Sequence, residues 1–178
     1  MLTAASQPHF EVPRRLVLMG VAGCGKSSVG AALAARLGAL YLDGDDFHSP
    51  ANIEKMSRGI PLRDEDRWPW LTQVGRALAA PEGPRIIGCS ALKQAYRAHI
   101  AREAGGPVTF IYLAGTPDTI RARMNARQGH FMPSELLASQ FAALEPPGPD
   151  ENAISVDIDQ PLGAIVDVIV AQLGGTKK

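Results

Sequence analysis

The sequence predicts an α/β fold in which five parallel strands form one sheet with helices on both faces. Three observations predict it. Five short apolar runs, several rich in β-branched residues, alternate with longer segments of helical spacing. Pro117, Pro133 and Pro161 stand where helices begin, a position that tolerates a missing N–H. Small or acidic residues follow three of the runs, Gly20 after Met19, Asp43 after Leu42 and Ser90 after Cys89, at the sheet edge where such folds bind ligands.

The elements follow in order. Residues 1–13 read as a tail ahead of the first strand, Arg15–Met19. Helical spacing runs from Ser27 to Leu37, and Leu40–Leu42 is the second strand. Helices over Ala51–Ser57 and Arg67–Ala80 precede the third strand, Arg85–Cys89. A helix over Ala91–Ala104 leads to the fourth strand, Thr109–Leu113. Helices over Pro117–Ala126 and Pro133–Leu144 precede the fifth, Ile154–Val156, and Pro161–Leu173 closes the chain. Pro81–Pro84 and Glu145–Asp150 are the strongest loop signals, the second acidic, rich in proline and without an assigned role.

Length and charge narrow the function. A chain of 178 residues, 46% of them hydrophobic, suits one domain with a sizeable core. Eighteen basic and 18 acidic residues balance, which leaves no electrostatic footprint for nucleic acid or an anionic membrane. No apolar run approaches the ~20 residues of a spanning helix, and the first residues do not read as a signal peptide. Cys24 and Cys89 make neither a disulfide framework nor a metal cluster, so they read as free thiols in a reducing cytoplasm.

The stretch that carries chemistry is Gly20–Val21–Ala22–Gly23–Cys24–Gly25–Lys26–Ser27, a complete phosphate-binding P-loop set between a strand and a helix. Its glycines let backbone N–H groups curl around a triphosphate, and the dipole of the following helix, from Ser27 and Ser28 onward, favours the anion. Lys26 is placed to reach the β- and γ-phosphates, and the Ser27 hydroxyl to sit on Mg²⁺. Cys24, at the mouth of the helix N-terminus, is either a stabilised thiolate that an alkylating reagent would attack with loss of activity, or a sulfur turned away from the phosphates and inert.

Other polar residues sort among P-loop proteins. No Asn-Lys-x-Asp guanine motif occurs, and the third strand does not end in an aspartate. Aspartates cluster instead after the second strand, at Asp43, Asp45 and Asp46, with His48 beyond. Such carboxylates repel one another unless a cation or hydroxylated ligand engages them; the alternative is a solvated turn.

Several further segments together resemble the gluconokinase family. They are Leu42–His48, Asn52–Met56, Gly59–Leu62, Asp64–Leu71, Cys89–Lys93 with Tyr96 and Arg97, Arg127–Met132, Gln140 with Phe141, and Val156–Leu162. The match covers nearly everything from Arg15 to the last helix. It implies the fold of nucleoside monophosphate kinases and shikimate kinase, with an acceptor-binding segment over 44–80 and a mobile lid over 123–134. It implies transfer of the γ-phosphoryl group of ATP to the 6-hydroxyl of D-gluconate, in a cytoplasmic homodimer that uses Mg²⁺.

On that resemblance, Asp43 is the candidate for Mg²⁺-bound water and Asp45 for the attacking hydroxyl, as base or orienter. His48 and Lys55 belong to the acceptor segment, although a lone His48 would equally cap a helix. Arg67 is a candidate clamp for the gluconate carboxylate, or else a surface partner of Asp64 or Glu65. Lys93 is a candidate acceptor contact, and Arg97, four residues on, reads as structural. Arg123 and Arg127 share a helical face and lead into the lid, where they would meet the transferring phosphoryl group or simply face solvent. Trp68 and Trp70 are assigned to no site. Rival readings are another hydroxy-acid kinase such as shikimate kinase, and a sensor that binds nucleotide or sugar acid without turnover.

Overall fold

The computed structural model describes residues 9–126 and 134–175. In chain order it comprises β1 (Arg15–Met19), α1 (Lys26–Leu37), β2 (Leu40–Asp43), a 3-10 turn (Gly44–Phe47), α2 (Pro50–Ser57), α3 (Asp64–Leu78) and β3 (Arg85–Gly88). These are followed by α4 (Gln94–Ala104), β4 (Thr109–Ala114), α5 (Pro117–Ala126), α6 (Ser134–Ala143), β5 (Ala153–Asp157) and α7 (Leu162–Gly175). The strands lie in the order β2-β3-β1-β4-β5, and every neighbouring pair is parallel. The predicted sheet is therefore present in full.

Alternation along the strands divides the interior in two, because successive side chains point to opposite faces. Leu16 and Leu18 of β1 pack with Val29 and Leu33 of α1 and Ile165 and Ile169 of α7. Val17 and Met19 pack on the other face with Leu71 and Val74 of α3 and Tyr96 and Ile100 of α4. Both sets are buried, as expected of a strand covered on both sides.

Besides shifts of one or two residues at element ends, three departures from the sequence reading bear on the site. Helix α3 begins three residues early because the Asp66 carboxylate accepts the Arg63 N–H at 2.9 Å, capping the first turn at Arg63 rather than Asp66. Helix α4 begins three residues late: Ala91 stands at φ 43° and Lys93 is extended, so Ser90–Lys93 runs as loop along the sheet edge. The acidic stretch folds into the 3-10 turn, held by the Asp43 carboxylate accepting the Asp45 N–H at 3.0 Å.

Register then brings the functional loops together. Leu18 and Asp43 both pair with Gly88, so β1, β2 and β3 end level. The Gly20 N–H donates to the Ser90 carbonyl at 3.2 Å, joining the loops after β1 and β3. A Cβ on Gly44 would collide with the Gly88 carbonyl oxygen, so only glycine lets the acidic turn lie this close to β3.

Candidate active site

The three strand ends open into a cleft of about 510 Å³, walled by the P-loop, the acidic turn, the chain after α2 and one side of α6. Gly20, Gly23 and Gly25 take φ of 145°, 81° and 99°, a left-handed run that side chains disfavour and that curls the P-loop. Ala22, Gly23, Gly25, Lys26 and Ser27 line the cleft. Lys26 Nζ donates to the carbonyls of Gly20 and Val21 at 3.0 and 3.1 Å, so its ammonium lies against the loop it is expected to serve. Ser28 follows on the exposed first turn of α1.

Asp43 and Asp45 also line the cleft. The Asp45 carboxyl is raised above the ordinary aspartate range by desolvation at the wall and by Asp43 and Asp46, while Lys26 opposes the shift. Its side chain remains 81% exposed, so water screens this repulsion and the displacement is modest.

His48 forms the floor beside Asp45. Its ring stacks on Trp70 with centroids 4.0 Å apart, and the Trp70 indole N–H is fixed by the Gly44 carbonyl at 2.8 Å. Burial, with Arg67 nearby, lowers the His48 pKa to about 4, so the imidazole is neutral at physiological pH. Trp70, which sequence reasoning left out, therefore lines the cleft, whereas Trp68 packs edge-on against Tyr96. Placed two apart on α3, they diverge as the helical period requires.

The remaining candidates divide. Arg67 lines the cleft and also lies 3.8 Å from Asp64 and 3.3 Å from the Tyr96 hydroxyl. Lys55 does not line it: its ammonium grips both oxygens of Asp66 at 2.8 and 2.9 Å. Lys93 also stands off the cleft wall, 3.5 Å from Asp64, which accepts a short hydrogen bond from the Tyr96 hydroxyl as well. That hydrogen bond, helped by Lys93, lowers the Asp64 pKa. Arg123 donates to the carbonyls of Ile158 and Gln160 beyond β5, yet one of its nitrogens lies 3.8 Å from where a Cβ on Gly25 would stand. Arg127, and with it most of the expected lid, falls outside the described residues.

Gln140, like Trp70, is assigned to no site by the sequence. Gln140 of α6 lines the cleft, and its Oε1 accepts the Ala22 N–H at 2.6 Å. Ser90 lines it too. Gln140 carries no local signal beyond its place in the family resemblance, whereas Ser90 is marked by its place after a strand at the ligand-binding edge. Cys24 is correctly within the loop, but its side chain is wholly buried among Val21, Val29 and Leu33. Of the two readings of Cys24, this burial favours the inert one, with the sulfur turned inward toward Gly20. Cys89 is equally buried, and desolvation pushes its thiol up to about 12. In native protein, alkylation followed by mass spectrometry is expected to label neither cysteine appreciably until the chain is unfolded. Fast labelling at Cys24 with loss of activity would restore the first reading.

Among the described residues no helix is long and apolar enough to cross a membrane. Residues 16–147 match the family described as AAA domain. The thermoresistant gluconokinase of Escherichia coli (strain K12) is 47% identical over 154 residues, 84% of this chain and 87% of that protein. A probable gluconokinase of Mus musculus is 43% identical over 183 residues, 92% of this chain and all of that one. A solved gluconokinase from Sinorhizobium meliloti 1021 superposes with TM-score 0.86 at 46% identity, covering 92% of this chain and 93% of its own. The Mycobacterium tuberculosis APS kinase CysC, 18% identical with TM-score 0.62, shares the fold. With relatives this similar over nearly their whole lengths, and a P-loop and an acidic turn lining one cleft, the chain belongs to the gluconokinase family of ATP-dependent P-loop kinases.

Proposed function

We propose that this cleft transfers the γ-phosphoryl group of ATP to the 6-hydroxyl of D-gluconate, giving 6-phospho-D-gluconate and ADP. The observation that carries the proposal is the meeting in one cleft of a triphosphate cradle (Gly20–Ser27) with acidic, imidazole and guanidinium groups suited to a polyol acid. Phosphoryl transfer relies on positioning and charge stabilisation more than on covalent help from the protein. The P-loop N–H groups and Lys26 would hold the β- and γ-phosphates. Asp45 would accept the proton of the attacking hydroxyl, whose oxygen bonds to phosphorus as the bond to the β,γ-bridging oxygen breaks. His48 would contact the sugar acid, and Arg67 would pair its carboxylate.

The donor set also suits Mg²⁺, which binds through one or two carboxylates or hydroxyls, substrate phosphates and water. Ser27 and Asp43 share the cleft with the phosphate cradle, and a cation there would offset the desolvation and the neighbouring carboxylates that raise Asp45. Ser27 and Asp43 would hold the ion, which would supply charge neutralisation on the phosphates. Lys55 and Lys93 would act on the acceptor through Asp66 and Asp64. Arg123 and Arg127 would meet the transferring group when the 123–134 segment closes. Family resemblance supports a cytoplasmic homodimer.

Coupled ADP release across gluconate, other sugar acids, glucose and shikimate tests the reading. Losing a charge-assisted carboxylate contact costs about 2–3 kcal/mol. The kcat/KM for gluconate is therefore expected to exceed that for glucose by roughly ten- to a hundredfold or more. Equal values would overturn the substrate, and ATP binding with no turnover on any acceptor would favour a sensor.

A further inference from the structure

The proposed acceptor contact, His48, has a ring that is held on three sides. Trp70 covers one face, Nε2 points toward Asp45 Oδ1 at 3.9 Å, and Nδ1 lies 3.3 Å from Asn52 Nδ2. Asn52 sits one helical turn beyond His48, on α2, and is 96% buried. Its amide orientation is set elsewhere, because Nδ2 also donates to the Asp66 carbonyl at 2.8 Å. Turning that amide over would aim its oxygen at the Asp66 carbonyl, which can only accept. Flipping the imidazole would put carbon against both Asn52 and Asp45. Asn52 must therefore donate to Nδ1, and a nitrogen that accepts carries no proton.

We infer that Asn52 is a positioning residue that locks His48 in the Nε2–H tautomer, presenting a neutral hydrogen-bond donor to the acceptor beside Asp45. The inference rests on the proposed role of His48 for its consequence in turnover, but not for the tautomer itself. The device reaches further back. Lys55 grips Asp66, Asp66 caps α3 at Arg63, and the Asp66 carbonyl orients Asn52. Lys55 thus bears on the acceptor through three partners without touching the cleft. A donor at Nε2 suits a hydroxyl or carboxylate oxygen of the acceptor, whereas the other tautomer would set a lone pair against Asp45.

Two measurements test this. In the ¹⁵N-labelled wild type, the His48 ring is expected to show its proton on Nε2 and a bare Nδ1, with no substrate needed. A proton on Nδ1 overturns the inference whatever the enzyme's substrate. Asn52→Asp replaces the donor by an acceptor and is expected to move the proton to Nδ1 and raise the gluconate KM about tenfold, with the ATP KM little changed. In a His48→Ala background the same substitution is expected to raise the gluconate KM by less than twofold. A full tenfold effect there would show that Asn52 does not act through His48. Failure of gluconate turnover in the wild type, with Nε2 protonated, would instead indict the substrate.

Discussion

Asp45→Asn is expected to lower kcat by two to four orders of magnitude while leaving ATP affinity within about threefold. Removing a positioned base or hydroxyl orienter costs on that scale, and Asp45 lines the cleft beside His48, 3.9 Å from its Nε2. Lys26→Ala is expected to lower kcat comparably and to weaken ATP as well, since that ammonium lies against the phosphate loop itself. Steady-state kinetics with equilibrium nucleotide binding separates the two. Asp45→Asn that loses nucleotide but turns over normally at saturating ATP would move Asp45 to the phosphate side. The raised Asp45 pKa adds a sign: as pH falls, wild-type kcat/KM is expected to drop at a pH above the ordinary aspartate range, because the carboxyl protonates early. Asp45→Asn is expected to lose that acid limb.

Sheet and cradle were legible because each is encoded locally. Arg15–Met19 shows its burial on both faces in its own composition, and Gly23 and Gly25 declare a turn that only glycine makes comfortably. The acidic turn was legible as a cluster, but not as a 3-10 helix, since its hydrogen bond from Asp45 N–H to the Asp43 carboxylate competes with any regular pattern. Direction was the harder matter. Nothing in the order Gly-Cys-Gly says that Cys24 turns into the core. Gln140 reaches Ala22 from 118 residues away, and Trp70 meets His48 only because α3 packs against the acidic turn, its indole bonded to Gly44. Lys55 reads as a substrate cation until Asp66 is seen to satisfy it. Long-range partners decide these cases, and spacing along the chain does not carry them.

Arg97→Ala is expected to destabilise the fold by about 3–5 kcal/mol, the cost of stranding a charge that was buried and paired. At roughly 2–4 °C per kcal/mol for a chain of this size, Tm falls by about 6–20 °C. The guanidinium is 1% exposed, and four of its five N–H donors are engaged. Nε and one Nη hold the two oxygens of Glu151 at 2.6 and 3.0 Å, the other Nη donates to the Ala91 carbonyl at 2.8 Å, and the Glu145 carbonyl is held at 3.0 Å. This gives the proline-rich 145–151 loop the role its sequence did not disclose. Glu145 also accepts the Gln94 N–H through its carboxylate, so α4 and the chain leaving α6 are tied at both points. Because α6 carries Gln140 onto the P-loop, the tie also fixes one wall of the cleft. Arg97→Lys keeps the charge but cannot reach three groups at once, and is expected to recover only part of the loss. The Arg97 hydrogen bond holds Glu151 below the ordinary glutamate range. A depressed folded pKa contributes stability above the unfolded pKa and loses it as pH falls through the folded one. The Tm gap between wild type and Arg97→Ala is therefore expected to narrow in acid, by circular dichroism melts from neutral pH downward. A gap under about 2 °C at neutral pH would show that the loop is held by its backbone contacts alone.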